Sequence, residues 1–216
     1  MIQRFDSPEV ADDVRPKLEL IRAMRKMVNE ASSPEELMGL EGTAARAYFE
    51  AVALLLPEEL RFSGRSRQPP MDVFNAAISY GYAILLSECV TALVSAGLEP
   101  SIGLLHSDQD KRPSLALDLM EEFRPYVVDQ VVVKLCRSGG LTLTHGKSDK
   151  GRPGVLLTKA GKQALLDGYE HRMLQVTRGA LPGFTGSIRR HLYRQAQRLA
   201  LYLVSDDHEW SGLSWR

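Results

Sequence analysis

One glutamate and one group of four acidic residues in this sequence break the pattern of the helices predicted to carry them. Both could bind a metal ion. The first is Glu41, which lies near the middle of the apolar stripe of a helix predicted over residues 34–56. A lone buried carboxylate is costly unless it is paired, protonated or bound to a metal. Gly42 directly after it weakens the helix but lets another group approach closely. The alternative interpretation is a glutamate that pairs with a core arginine or lines a wet groove.

The second set consists of four carboxylates within an arc of about 100° on a helix predicted over residues 114–137: Asp118, Glu121, Glu122 and Asp129. Like charges at i,i+3 and i,i+4 repel. The arc offers no lysine or arginine to offset them, so we expect a cation from elsewhere to do so. The alternative is a solvated acidic face near a helix N-terminus, where the helix dipole favours negative charge.

His106 follows the apolar run Gly103 to Leu105 and precedes a polar loop. A lone histidine is more often structural than a ligand. Together with the carboxylates, however, it completes a set of one histidine and two or three acids. Oxygen-rich ligation of that kind suits Mn²⁺ or Mg²⁺ rather than zinc or copper, so the sequence supports the hypothesis of a divalent-metal site.

Positive charge is segregated although the whole chain is neutral, with 27 Lys and Arg against 27 Asp and Glu. Residues 171–204 contain six arginines and no acid, and three of these lie opposite the apolar stripe of a helix predicted over residues 186–204: Arg190, Arg194 and Arg198. Such an array could hold phosphates; a solvated basic face of an ordinary amphipathic helix is the alternative. A loop with three arginines and no acid is a second candidate for DNA contact: Arg61, Arg65 and Arg67.

A mostly helical fold must position these residues. The periodicity predicts helices near residues 16–30, 34–56, 72–96, 114–137, 158–178 and 186–204. Ser33, Pro34 and Glu36 are typical of a helix start, Gly97 is expected to end the third helix, and Pro125 is expected to kink the fourth. A short Leu/Thr run and a short Val/Leu run near residues 140–157 could pair as a small hairpin. We therefore predict an all-α fold: a multi-helix lobe with at most that hairpin.

The composition argues against several other classes of protein. Cys89 and Cys136 form no CxxC pair, which disfavours a zinc site or a disulfide scaffold and fits a reducing compartment. The N-terminus lacks the apolar run of a signal peptide. The longest apolar-leaning run, Ala76 to Leu86, is shorter than the ~20 residues that span a bilayer. We expect a cytoplasmic protein with no membrane partner.

Four motifs, taken in order, resemble those of the CRISPR-associated spacer-acquisition integrases. Residues 39–49 resemble the helix that carries the first metal ligand of that family. Residues 62–70 and 75–82 resemble a loop and the central helix that follows it. Residues 103–106 with 114–125 resemble the second ligand motif. The resemblance extends from about residue 16 to the end of the sequence.

The resemblance implies a metal-dependent DNA endonuclease and integrase that inserts captured DNA fragments, or spacers, into a CRISPR array. By matching motif positions, Glu41, His106 and Glu121 would ligate Mn²⁺ or Mg²⁺, with Asp118 in or next to the ligand set. Arg112 could neutralise phosphate charge. The 3′-hydroxyl of the captured fragment would attack the repeat DNA by transesterification, which needs no covalent enzyme intermediate.

The resemblance also implies partners and boundaries. The expected partners are DNA, as duplex fragment and CRISPR repeat, and the small CRISPR adaptation protein (Cas2 type), with a homodimer in the full-length form. Members of the family carry an N-terminal β-rich domain, and this sequence starts at the position of the linker after it. We therefore expect residues 1–15 to be residual linker and 16–216 to be the helical catalytic domain. Two alternatives keep the same fold: a catalytically silent DNA-binding or scaffolding module, and an integrase of mobile elements.

Overall fold

The computed structural model describes residues 8–103, 113–149, 151–205 and 210–215, and this part of the chain is mostly helical. Its α-helices are α1 (Pro8–Met27), α2 (Pro34–Leu54), α3 (Val73–Ser95), α4 (Ser114–Glu121), α5 (Gln130–Arg137), α6 (Lys159–Leu174) and α7 (Ile188–Val204). Its strands are β1 (Gly146–Asp149), β2 (Arg152–Leu157), β3 (Val176–Leu181) and β4 (Phe184–Ser187), which form two separate antiparallel pairs. The predicted helical fold class is therefore confirmed.

The chain forms two compact units, and each unit is built from two segments of sequence. The first contains the described residues of segments 1–76 and 133–161, and the second those of segments 77–132 and 162–216. Helix α3 begins in the first unit and continues in the second. Neither unit is one continuous stretch of chain.

In the first unit, α1 and α2 pack against each other. Val14 of α1 is buried in a cluster with Ala51 and Leu55, and Lys17 pairs with Glu50 of α2. The predicted start of α2 is confirmed, because the Ser33 hydroxyl oxygen accepts a hydrogen bond from the Glu36 N–H at 3.2 Å. Helix α1 begins at Pro8, earlier than predicted, and Pro16 is accommodated inside it.

The loop before α3 is also part of the first unit, and it is held by aromatic packing and by the β1–β2 hairpin. Phe62 stacks on Phe74 with ring centroids 4.4 Å apart. The hairpin pairs Gly146 with Leu157, so a hairpin lies in the predicted region. Its first strand is Gly146–Asp149 and not the predicted Leu/Thr run, part of which forms a 3-10 turn at Leu143–His145. The Val155 N–H donates to the Pro70 carbonyl at 2.7 Å, so the hairpin and the loop are directly bonded.

Helix α3 is apolar around most of its surface, and Gly97, which follows its last turn with a φ of +78°, stops it as predicted. Among the described helices, α3 alone is long and apolar enough to cross a membrane, by length and composition only. A buried core helix passes the same test. Phe74, Ile78 and Leu85 of α3 are fully buried, and Glu88 of α3 forms an ion pair with Arg189 of α7.

The helix predicted over residues 114–137 is interrupted where a kink at Pro125 was expected. Helix α4 stops at Glu121, a π-helical turn runs over Pro125–Asp129, and α5 follows. The turn approaches α3 closely, because a Cβ atom added to Gly81 would lie 2.5 Å from Val128 Cγ1. Only glycine fits at position 81 without a shift of its neighbours.

A second hairpin, β3–β4, replaces the ends of two predicted helices in the second unit. The prediction of helix over residues 158–178 is wrong at its C-terminal end, because α6 stops at Leu174 and β3 begins at Val176. The turn between β3 and β4 contains Gly183 at a φ of +70°. A proline followed by glycine, with β-forming residues on both sides, is the pattern that could have predicted this hairpin.

Candidate functional site

The acidic end of α4 carries two of the candidate metal ligands, Asp118 and Glu121. They are three residues apart, so they lie on neighbouring positions of one helix surface. The apolar side of α4 is buried through Leu115, Leu119 and Met120, which fixes the rotation of the helix about its axis. Asp118 and Glu121 are left half-buried at the edge of that apolar side, where both carboxylates keep some access to solvent.

Glu121 has a cationic neighbour that the sequence reasoning missed. The Arg124 guanidinium forms an ion pair with the Glu121 carboxylate, so the statement that no arginine offsets the acidic arc is wrong. The spacing i,i+3 was sufficient to predict this pair. The guanidinium carbon of Arg124 also lies 4.3 Å from the centroid of the Tyr82 ring.

Tyr82 contacts Arg124 of this ion pair and also bonds to Asp129, the buried member of the four acids. The Tyr82 hydroxyl donates to Asp129 Oδ1 at 2.7 Å, and Asp129 is only 1 % exposed. Burial, together with the adjacent Asp129 carboxylate, raises the pKa of Tyr82 well above its usual value. Tyr82 therefore remains a hydrogen-bond donor, and Asp129 belongs to an internal network rather than to the half-buried edge of α4.

Glu122 is also engaged inside the second unit, by residues 210–215, hereafter the C-terminal segment. The Leu213 N–H donates to Glu122 Oε2 at 3.0 Å, and the Gln195 amide donates to the same oxygen at 2.9 Å. Burial raises the pKa of Glu122, while these hydrogen bonds act in the opposite direction. Of the four predicted acids, Asp118 and Glu121 thus remain the pair at the edge of α4.

Glu41 does not occupy the position that the helical pattern predicted. It is exposed on α2, so the expectation of a carboxylate in the middle of a buried stripe is wrong. The reason is that the N-terminal half of α2 is largely solvent-accessible: among residues 34–46 only Leu40 is buried, and Met38 is 68 % exposed. Dense burial begins at Ala47, beyond the turn that carries Glu41.

The candidate metal ligands are therefore distributed along the chain as follows. Glu41 belongs to the first unit, Asp118 and Glu121 belong to the second, and His106 lies outside the described residues. Within the described ranges, no group of three or more His, Cys, Asp or Glu side chains could hold a metal ion. Convergence of Glu41, His106 and Glu121 on one metal remains a prediction.

Arg61 and Arg67 of the basic loop are exposed, whereas Arg65 is bound to the protein. Its guanidinium donates to Asn75 Oδ1 at 2.8 Å. Asn75 is fully buried, and its own amide nitrogen donates to the Gly64 carbonyl at 3.0 Å. Asn75 thus ties the loop to the first turn of α3. Arg112, the other arginine of this prediction, lies outside the described residues.

The arginines of α7 also differ from one another. Arg190 and Arg194 are exposed. Arg198 donates to the Ser211 carbonyl at 3.0 Å and to the Ser211 hydroxyl oxygen at 2.7 Å. Arg189 binds Glu88 of α3 and Glu170 of α6, both at 2.9 Å, so part of the basic run is neutralised by acids distant in sequence.

The chain belongs to the CRISPR-associated Cas1 family. A sequence model of that family, described as CRISPR associated protein Cas1, matches residues 1–171. The chain is similar to "CRISPR-associated endonuclease Cas1 1" of Thermus thermophilus, with 43 % identity over 86 % of this chain and 58 % of that protein. It is also similar to "CRISPR-associated endonuclease Cas1 1" of Chlorobaculum tepidum, with 33 % identity over 98 % of this chain and 63 % of that protein. The chain thus spans about three fifths of the length of these curated relatives.

Solved structures share the fold. A Cas1 protein from Thermotoga maritima superposes with a TM-score of 0.77 at 26 % identity, over 94 % of this chain and 66 % of that chain. A chain of a partial Cas6-RT-Cas1–Cas2 complex has a TM-score of 0.79 at 28 % identity, over 94 % of this chain and 60 % of that chain. A casposase bound to integration product has the same fold, with a TM-score of 0.79 at 24 % identity, over 92 % of this chain and 58 % of that chain.

Proposed function

We propose that this chain is the helical catalytic lobe of a metal-dependent DNA endonuclease and integrase that inserts captured DNA fragments into a CRISPR array. The observation that carries the proposal is the pair of half-buried carboxylates, Asp118 and Glu121, on one edge of α4 in a chain of the Cas1 family. Relatives at 43 % and 33 % identity are named as endonucleases, which supports an enzyme rather than a silent scaffold.

The donor set fits a hard divalent cation. Carboxylate oxygens are the ligands that Mn²⁺ and Mg²⁺ prefer, and half-buried Asp118 and Glu121 offer such oxygens without first having to be exposed. We propose that Glu41, His106 and Glu121 hold the ion, with Asp118 in or beside the ligand set. When bound, such an ion polarises a phosphodiester and stabilises the charge that develops on the attacking and departing oxygens.

The reaction that we propose is a transesterification on DNA. The 3′-hydroxyl of the captured fragment attacks a phosphodiester of the repeat and forms a new 3′–5′ linkage. The displaced 3′-oxygen of the repeat strand leaves and takes up the proton. The number of phosphodiester bonds is conserved, so no nucleotide cofactor is needed. Exposed arginines would hold the phosphates of the two DNA segments: Arg61, Arg67, Arg190 and Arg194.

Two of the solved structures that share the fold support the proposed partners. One solved neighbour is a chain of a Cas6-RT-Cas1–Cas2 complex, and another is a casposase bound to integration product. We propose that the full-length form of this protein acts as a homodimer with a Cas2-type protein, on duplex fragments and CRISPR repeat DNA. We also propose that it does so in the cytoplasm, where its DNA substrates are found.

A strand-transfer assay tests this function directly. The donor is a labelled duplex with a free 3′-hydroxyl, and the target is a supercoiled plasmid that carries a CRISPR repeat, with the chain and a Cas2-type partner present. We expect labelled, relaxed plasmid with Mn²⁺ or Mg²⁺, and none with EDTA or with a 3′-dideoxy donor. Glu41→Ala, His106→Ala and Glu121→Ala should each reduce the product to the EDTA background while the helical circular dichroism is retained.

The matched control is Asp167→Ala, which removes an exposed carboxylate of α6 from the same unit as Glu121. It should react like the wild type. Wild-type activity in any of the three ligand variants would remove that residue from the catalytic role. Metal-independent DNA binding without strand transfer by the wild type would instead favour the silent scaffold.

A further inference from the structure

The C-terminal segment is bonded to the end of α4, next to Glu121. Helix α4 ends at Glu121, so the Glu122 carbonyl lies where the last carbonyl groups of a helix have no partner within the helix. The Trp215 indole N–H donates to this carbonyl at 2.9 Å. The Leu213 N–H donates to the side chain of the same residue at 3.0 Å. Both the main chain and the side chain of Glu122 are thus held by residues about 90 positions later in the sequence.

Aromatic packing fixes the donor itself. The Trp215 ring stacks on the Tyr126 ring with centroids 4.0 Å apart and planes 13° from parallel. It also meets the Phe123 ring edge-on at 5.6 Å. Phe123 and Tyr126 lie on either side of the point where the chain turns from α4 into the π-helical turn. Trp215 therefore covers the irregular backbone that follows Glu121.

The C-terminal segment is also anchored to β3 and α7. The Ser214 N–H donates to the Ala180 carbonyl at 3.1 Å. Arg198 binds both the carbonyl and the hydroxyl of Ser211. Trp210 packs beside Tyr202 and under the Arg198 guanidinium. The segment thus connects the end of α4 to two other elements of the same unit.

We propose that the C-terminal segment positions Glu121: it fixes the end of α4 through Glu122 and Trp215, and thereby presets the Glu121 carboxylate for a divalent cation. The role of the segment in metal binding rests on the proposed function, whereas the hydrogen bonds from the segment to Glu122 do not depend on it. The segment also lies beyond residues 1–171, the part of the chain that the family model matches. Groups that orient a metal ligand without touching the metal typically change metal affinity by about 10- to 100-fold when they are removed.

The test uses two tryptophan variants of the full chain. Trp215→Phe keeps an aromatic ring for Tyr126 but removes the indole N–H. Trp210→Phe is the matched control, because the same change at Trp210 keeps a ring beside Tyr202 and Arg198 and leaves the Trp215 N–H in place. The first measurement is hydrogen exchange of the Phe123 and Arg124 amides, which bond to the Met120 carbonyl at 2.9 and 3.0 Å. We expect these amides to exchange about tenfold faster in Trp215→Phe and at the wild-type rate in Trp210→Phe.

The second measurement is Mn²⁺ affinity by electron paramagnetic resonance, without DNA. We expect Mn²⁺ to bind Trp215→Phe about tenfold more weakly than the wild type, and to bind Trp210→Phe as tightly as the wild type. If Trp215→Phe does not fold, Leu213→Pro replaces it, because that change removes the amide donor to Glu122 and keeps the Trp215 ring. Equal exchange rates in the two variants would overturn the proposal, as would faster exchange without a loss of Mn²⁺ affinity. If the wild type binds no Mn²⁺, the proposed function fails, and the exchange rates still decide whether the segment holds the end of α4.

Discussion

Asp129 illustrates at the level of one residue how the second unit separates acids that lie close in sequence. Its carboxylate is buried and bonded to Tyr82, whereas Asp118 and Glu121 keep access to solvent. A buried carboxylate needs hydrogen-bond donors to offset the loss of water. Tyr82 supplies one of these donors, and its ring at the same time supports the guanidinium of Arg124. The position of Arg124 beside Glu121 thus depends on a tyrosine of α3.

We predict that Tyr82→Phe destabilises the protein by about 1–3 kcal/mol, because Asp129 loses a donor inside the protein while the ring is kept. Urea unfolding followed by circular dichroism measures the change. Tyr202→Phe is the matched control, since Tyr202 is 44 % exposed. Equal unfolding midpoints for the two variants would show that the Tyr82 hydroxyl contributes nothing to stability.

At the scale of elements, α7 presents two arginines to solvent and uses a third to hold the C-terminal segment. Arg190 and Arg194 are the exposed members, and Arg198 binds Ser211. A phosphate contact releases counterions only if the guanidinium can reach the phosphate. The three arginines that the sequence groups on one helix face are therefore expected to contribute unequally to DNA binding.

We predict that Arg190→Ala with Arg194→Ala flattens the slope of log affinity against log salt by roughly two units, at about 0.9 per phosphate contact on duplex DNA. Arg198→Ala should change the slope by less. The loss of affinity should be the same on two unrelated duplexes, because phosphate contacts carry no sequence information. Salt titrations by fluorescence anisotropy measure both effects. An unchanged slope in the double variant would shift the candidate DNA surface to Arg61 and Arg67.

The elements that the sequence predicts well are those set by local chemistry. The structure confirms the Ser33 cap and the stop of α3 by Gly97, which both depend on residues within one turn of each other. Near Pro125 a kink was predicted, and the structure has a π-helical turn between two shorter helices. Glu41 was misplaced because periodicity identifies the apolar side of a helix but not how far along the helix the burial extends. The roles of Glu122 and Arg198 could not be foreseen, since their partners in the C-terminal segment are distant in sequence.

At the scale of the whole molecule, charge is balanced overall and segregated locally. The chain has 27 basic and 27 acidic residues and a sequence pI of about 7.0. Proteins near zero net charge repel each other weakly, so they associate and precipitate more readily. The electrostatic effects of the exposed arginines and of the acids of α4 are therefore expected to be local, because the chain carries no net charge.

We predict a solubility minimum near pH 7, measured as the amount of polyethylene glycol needed to precipitate the protein across a pH series. Replacing Arg190 and Arg194 with alanine removes two positive charges and should move the minimum to lower pH. Replacing Ser148 with alanine, an exposed change without charge, should leave it in place. A minimum that does not move with the two charges would show that patches of the surface, rather than net charge, control precipitation.

The close approach between Gly81 and Val128 makes it possible to design a temperature-sensitive variant of the protein for use in living cells. A methyl group at position 81 would lie 2.5 Å from Val128 Cγ1, and such overpacking costs about 1–3 kcal/mol, more than alanine gains over glycine in a helix. We predict that Gly81→Ala lowers the melting temperature by roughly 2–4 °C per kcal/mol. The variant protein should therefore lose its activity at high growth temperature and keep it at low temperature.

Val128→Ala leaves a cavity and should also lower the melting temperature. The double variant should be more stable than the sum of the two single losses predicts, because the added methyl group at position 81 fills the space that the valine side chain vacates. Scanning calorimetry of the single and double variants measures this reciprocity, and strictly additive losses would contradict it.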